Sequence, residues 1–292
     1  MAIFIFLFIS QVKSPAVVFM LNLAVADVLF VTSLPFNIVY RFSGNNWVIG
    51  EGMCRFVTAA FYCNMYCSVL LMTSISVDRF LAVVYPVQSL LWRTVGRAWL
   101  VCLFIWMVSI TATVPLLMSN LTVHIDHLNI TSCCHTQEPE DVQSFYFPYF
   151  TTYISVFFFL PFIITTFCYA ATIRSLSSPT IDSPFKKSRS VLLCVTVLCE
   201  FIFCFGPSNI IFLVYYLTLE KPVGNSMFFA YTLSVCVGSI SCCFDPAMYY
   251  LGSSKCKKHV YRLICCGKTR IGHSQTRSSS GMTGGESSGF TL

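Results

Sequence analysis

The sequence predicts an all-α membrane protein: a seven-transmembrane helix bundle with its first helix truncated, plus a short amphipathic cytoplasmic helix 8. Three observations predict it. Of 292 residues, 56% are hydrophobic and only 10% are charged, where a soluble domain carries about 25% charged residues. The apolar residues gather into long, charge-poor runs separated by short polar segments. Of the 18 Lys and Arg, all but Arg41, Arg55 and Lys221 fall in the segments 11–15, 79–97, 174–189 and 252–292. Alternating loops of such a bundle share one side, and a basic side is cytoplasmic. The net charge of +6 therefore reports topology, with no nucleic-acid partner.

The first nine residues, Met1 to Ile9, are apolar and span about 14 Å as a helix, half a bilayer. They read as the inner half of a first span whose outer half is not present. Neither a basic leader nor a small-residue cleavage site marks a signal peptide. Lys13 and Ser14 belong to the first inner loop, and Pro15 suits a helix start. Six complete spans follow, over about 16–41, 51–85, 96–118, 146–175, 186–218 and 224–250. The third carries no charge between Arg55 and Asp78, enough to cross a ~30 Å hydrocarbon core. It ends at Asp78-Arg79-Phe80, an acid and a base poised to pair locally or be drawn apart by a partner. The sequons at Asn120 and Asn129 lie between the fourth and fifth spans, on the outer side of this topology.

Ser253 to Cys266 alternates basic and apolar residues as an interfacial helix would, ending at Cys265 and Cys266, suited to palmitoylation. Residues 1–266 thus form the bundle with helix 8. Residues 267–292 are a Ser/Thr-rich cytoplasmic tail without a packable core, expected to be disordered.

Chemistry inside a membrane is costly and therefore informative. Asp27 in the second span and Asp245 in the seventh need a polar interior, a partner or an ion. With Ser68 of the third span they offer oxygen ligands for a small cation, so a sodium ion is the expected allosteric ligand and no other cofactor is. Pro161, Pro207 and Pro246 are expected to kink the last three spans. Glu200, seven residues before Pro207, is expected either to donate a hydrogen bond to the seventh span or to face lipid without a partner. Cys54 tops the third span, and either Cys133 or Cys134 in the outer loop is placed to bridge it. Tyr62, Tyr66, Phe150, Tyr215, Tyr216 and Tyr231 crowd the outer ends. The other cysteines lie mostly in apolar runs without zinc spacing.

Trp106, Asp27 in Leu23-Ala24-Val25-Ala26-Asp27, Asp78-Arg79-Phe80, the proline of the sixth span and Asp245-Pro246 with Tyr249 together resemble rhodopsin-class G-protein-coupled receptors. More narrowly, FCFGPSN (203–209), SISCCFDPAMYY (239–250), CRFVTAAFYCNMY (54–66) and DRFLAVVYPVQSLLWRTVGRA (78–98) resemble the protease-activated receptors, of the thrombin-receptor type. The likeness covers about residues 1–266.

That resemblance implies a receptor whose N-terminal segment is cut by a serine protease, the new end folding back as a tethered agonist. The segment to be cut is not present, so this chain as written is expected not to answer protease. The resemblance implies that Tyr62, Phe150, Tyr216 and Tyr231 line the agonist pocket, with Tyr66 and Tyr215 beside them. It favours Cys133 as the partner of Cys54, and implies that Asp27, Ser68 and Asp245 hold sodium in the inactive state. Phe201 and Phe205 would relay movement at the Pro207 and Pro246 hinges. Asp78, Arg79, Tyr169 and Tyr249 would rearrange as the cytoplasmic end opens. The implied partners are heterotrimeric G proteins, arrestin and receptor kinases at the tail, and membrane lipid, at the plasma membrane. Where the family has Cys-His-Asp-Val-Leu in the second outer loop, this chain reads Cys133-Cys134-His135-Thr136-Gln137.

An enzyme is not expected: no paired nucleophile and base, metal set or glycine-rich phosphate loop fits the topology. A retinal photoreceptor would need a Schiff-base lysine, and residues 224–250 contain none. An ion-coupled transporter using Asp27 and Asp245 is the alternative, though it would show internal repeats. A signalling-dead receptor fragment is the other.

Overall fold

The computed structural model describes residues 14–126, 129–133, 147–176, 184–217, 233, 236–241 and 244–245. Five helices among them are long and apolar enough to cross a membrane. The expected first span, helix 8 and tail lie outside the described residues, as does most of the seventh span.

Helix α1 (Pro15–Phe42) opens with proline at its first position and closes where Ser43 donates its N–H to the Val39 carbonyl. Helix α2 (Glu51–Val84) has 34 residues and is the axis of the bundle, packing against α1 and two later helices. A short helix α3 (Pro86–Trp92) follows in what the sequence reads as inner loop. Helix α4 (Val95–Met118) is capped by the Thr94 hydroxyl, which accepts from the Arg97 N–H. Its buried stripe of Ala98, Cys102, Ile105, Ser109, Ala112 and Leu116 recurs at helical spacing. The opposite face exposes Leu100, Leu103, Phe104, Met107 and Ile110, which suits lipid.

Strands β1 (Thr122–Ile125) and β2 (Ile130–Cys133) pair antiparallel, Thr122 opposite Cys133. This hairpin lies where the sequence suggested only a loop. Next come α5 (Phe147–Ile154), a π-helical turn at Ser155–Phe159 and α6 (Leu160–Leu176) as one continuous rod. Helix α7 (Pro184–Cys199), a second π turn at Glu200–Phe205 and α8 (Gly206–Leu217) form another. The prolines do shape these rods, but through widened turns that end just ahead of them. Leu160 donates its N–H to the Ser155 carbonyl and Gly206 to that of Phe201, each five residues back. A wider ring relieves the clash of a proline ring with the preceding turn. Glycine suits position 206, since a Cβ would sit 3.2 Å from the Phe201 carbonyl oxygen, closer than ordinary van der Waals contact.

Apolar burial does not drive helices together in lipid, where close packing and interhelical hydrogen bonds do, the latter averaging about 0.6 kcal/mol each. Trp106 Nε1 on α4 donates to Asn22 Oδ1 on α1 at 3.0 Å. The Thr165 and Thr73 hydroxyls meet at 3.3 Å, joining α6 to α2. Such bonds fix rotation; the interlocked apolar side chains supply most of the cohesion.

Candidate functional site

The hairpin end of α2 is tied down by covalent and polar contacts together. Cys54 at the first turn of α2 forms a disulfide with Cys133 of β2, across 79 residues of chain, with Cα atoms 5.8 Å apart. Cys134 lies outside the described residues. The Trp47 N–H donates to the Thr131 carbonyl at 2.6 Å, and Asn46 Oδ1 accepts from the Thr131 N–H at 3.0 Å. Tyr40 and Ser132 share a hydroxyl contact at 3.0 Å over a small core of Tyr40, Trp47, Val57 and Leu121. Arg55 pairs with Glu51 one turn earlier and donates to Asn120 Oδ1 at 2.6 Å. Asn129 is exposed in the hairpin turn, with φ of 49°, a left-handed conformation that asparagine tolerates.

Below the hairpin runs an aromatic column. Tyr62 and Tyr66, one turn apart on α2, are both buried and stack at 6.1 Å. Tyr66 meets Tyr153 at 5.2 Å and Phe157 at 5.3 Å, and Tyr153 meets Tyr149 at 4.6 Å. Tyr149 donates its hydroxyl to the Ala112 carbonyl on α4. These two α2 tyrosines face the bundle interior, so an interfacial belt does not explain them. Phe150 lies on α5 and Tyr215 and Tyr216 on α8, while Tyr231 is outside the described residues.

Three carboxyls lie in the middle of the bundle. Asp27, Glu200 and Asp245 are 8%, 1% and 1% exposed. Ser68 of α2 is also buried, and its hydroxyl has no hydrogen-bond partner among the described residues. No group of three or more His, Cys, Asp or Glu side chains among them is spaced to hold a metal ion. The expected bond from Glu200 to the seventh span is not seen: neither of its oxygens has a hydrogen bond among the described residues.

The two π turns touch one another through aromatic side chains. Phe158 of the first lies 6.4 Å from Phe201 of the second, and Phe201 lies 6.3 Å from Phe205. Phe201 and Phe205 are both buried. Asn209 Nδ2, two residues past Pro207, donates to the Phe205 carbonyl at 2.8 Å. A Cβ on Gly238 would sit 3.3 Å from the Cys204 carbonyl oxygen and 3.3 Å from Ser208 Oγ. The seventh span thus approaches this turn closely.

At the far end of α2, Asp78 is 3% exposed. Its strong partner is not its neighbour. Arg93 donates Nε to Oδ1 at 2.7 Å and Nη2 to Oδ2 at 2.9 Å, whereas Arg79 Nη2 stands 3.7 Å from Oδ2. The local Asp78–Arg79 pair that the sequence suggested is present at this longer separation, because successive residues diverge by about 100° around a helix. Arg93 had no local signal, because it arrives from 15 residues away. Tyr169 of α6 is buried, and its hydroxyl is hydrogen-bonded to that of Ser76 at 2.5 Å. Pro246, Tyr249, Cys265 and Cys266 lie outside the described residues.

Comparison with known proteins places this geometry. Residues 1–249 match the family model "7 transmembrane receptor (rhodopsin family)". Proteinase-activated receptor 1 of Xenopus laevis is 56% identical over 268 residues, 92% of this chain and 63% of the relative. The Homo sapiens form is 52% identical over 267 residues, 91% of this chain and 63% of the relative. Proteinase-activated receptor 2 of Bos taurus is 36% identical over 295 residues, covering 100% of this chain and 74% of that relative. The chain spans somewhat less than two thirds of the length of the receptor 1 relatives. Nothing in these matches supports the transporter alternative. The chain belongs to the rhodopsin family of seven-transmembrane receptors, among the proteinase-activated receptors.

Proposed function

We propose that the chain transmits binding of a tethered peptide agonist, released by a serine protease, to heterotrimeric G proteins. The observation that carries this reading is the identity to proteinase-activated receptor 1, 56% across 92% of the chain. The geometry supplies a physical path. The aromatic column under the pinned hairpin is the peptide pocket. An agonist that draws Tyr66, Tyr153 and Phe157 together biases the first π turn, which touches the second through Phe158 and Phe201. A swing at Gly206 and Pro207 then opens the end where Asp78, Arg79 and Tyr169 sit.

In the same reading the hairpin is extracellular, the Asp78 end cytoplasmic and the membrane the plasma membrane. Asn120 and Asn129 carry glycans, and Cys265 and Cys266 carry palmitate. The tail meets receptor kinases and arrestin. A sodium ion held by Asp27, Ser68 and Asp245 favours the closed state by screening two like charges.

The test is a chimera that places the exodomain and first span of a proteinase-activated receptor 1 ahead of residue 14, expressed in cells. Protease should trigger nucleotide exchange on co-expressed G protein. A chimera that reaches the surface and is cleaved, yet stays silent to both protease and free agonist peptide, refutes the proposal.

A further inference from the structure

The Asp78 end of α2 holds two guanidinium groups and one carboxylate, and the geometry ranks them. Both oxygens of Asp78 accept from the Arg93 fork, at 2.7 and 2.9 Å, while Arg79 stands 3.7 Å away, beyond hydrogen-bond range. A bidentate guanidinium–carboxylate pair is the stronger and more directional of the two arrangements. Asp78 is also buried, so its charge needs a near partner.

Arg93 is delivered by a braced arm. Pro86 starts α3, and the buried Ser89 donates its hydroxyl to the Pro86 carbonyl at 3.2 Å. The Arg93 N–H donates to the Ser89 carbonyl at 2.8 Å. Arg97 Nη1 donates to the carbonyls of Leu91 and Trp92 at 3.1 and 3.4 Å, closing the end of α3. The turn that follows is fixed by Thr94 capping α4. The arm is thus ordered by its own backbone contacts, independently of the ion pair it presents.

We infer that Arg93 is a positioning residue that competes with Arg79 for Asp78, so that the seating of the α3 arm sets how firmly Arg79 is held. With the arm seated, Asp78 is engaged by Arg93. When the arm is drawn away, Asp78 turns to Arg79 and fastens it. A protein partner docking at this end therefore meets Arg79 in one of two states, chosen by a loop rather than by the helix that carries it. The effect on coupling rests on the proposed function, whereas the competition itself does not.

A stability cycle on the purified full chain in detergent reads the competition without any partner. Arg79→Gln should lower Tm little in the parent, and by a further 2–4 °C or so in an Arg93→Gln background. That extra loss should vanish once Asp78→Asn is added. An equal effect of Arg79→Gln in all backgrounds overturns the inference. Should Arg93→Gln fail to fold, Arg93→Lys keeps the charge and loses the fork, and should give a smaller shift of the same sign. The second readout is agonist-independent nucleotide exchange on purified G protein, using the chimera. Arg93→Gln should lower it about threefold, within the range of coupled neighbours, and Arg93→Gln with Asp78→Asn should restore it. A rise with Arg93→Gln alone overturns the inference. Where the parent has no basal exchange, the same comparison is read with free agonist peptide, and a parent silent to that as well refutes the proposed function and leaves the stability cycle to decide the competition.

Discussion

Glu200 is the residue that local rules least explain. It is 1% exposed, and neither oxygen has a hydrogen bond among the described residues. Leaving a buried polar group unsatisfied costs about 1–3 kcal/mol. Glu200→Leu is therefore expected to raise the melting temperature of the purified chain by several degrees, and Glu200→Gln by less. A drop with leucine would show that the carboxyl has a partner on the seventh span, and would reverse this assignment. Asp27 is expected to act differently, since a charge that holds an ion does work only when the ion is present. Asp27→Asn should flatten the sodium dependence of agonist affinity, measured against a large inert cation. Linkage requires agonist to weaken sodium by the same factor. Undiminished sodium dependence in the variant would remove Asp27 from the ion site.

At the scale of elements, the hairpin is held by more than its disulfide. The Trp47 and Asn46 contacts with Thr131 and the Tyr40–Ser132 contact cross the same junction. Cys133→Ser should therefore loosen the hairpin without detaching it, with a stability loss of about 2–4 kcal/mol. Cys134→Ser should leave stability and ligand affinity near the parent. Mass spectrometry of the unreduced chain identifies the bridge, and a Cys54–Cys134 peptide as the main species would contradict the pairing. Helix ends were legible to within a residue or two: the spans read as 16–41, 51–85 and 96–118 are Pro15–Phe42, Glu51–Val84 and Val95–Met118. Each is an apolar run closed by charge or by turn residues, and the bilayer sets its length. The hairpin was not legible, since its four-residue strands are too short to show alternation. Nor were the π turns, because hydrogen-bond register inside a helix leaves no mark on composition. Tyr62 and Tyr66 could be placed on one face by spacing, but inward or lipid-facing was a matter of what packs against them.

For the whole molecule, orientation is the property that charge predicts. If the hairpin faces the cell exterior, Asn120 and Asn129 should carry N-glycans, and Asn129→Gln should remove one endoglycosidase-sensitive step on a gel. Protection of the hairpin from glycosylation and from surface labelling would invert the topology. Ionisable or kinking residues in an apolar run stand out in the sequence, as at Asp27, Asp245 and Pro207, and the structure buries both acids and sets a π turn just ahead of the proline. The site was unreadable where the partner arrives from a distant segment, as Arg93 does, because neither spacing nor composition carries that pairing.

The 34 residues of α2 extend about 51 Å at 1.5 Å each, against a hydrocarbon core of about 30 Å. The helix is longer than that core, and each end is fastened, one to the hairpin by Cys54 and the other to the α3 arm by Asp78. A rod fastened at both ends does not shorten to suit a thinner membrane. It accommodates by tilting, at a cost of fractions of a kcal/mol per ångström of mismatch. Tilt about the hairpin carries Asp78 sideways past the arm that grips it. Lipid thickness, varied in vesicles of graded acyl length, thereby becomes an input to the same end of the molecule that a cytoplasmic partner would read.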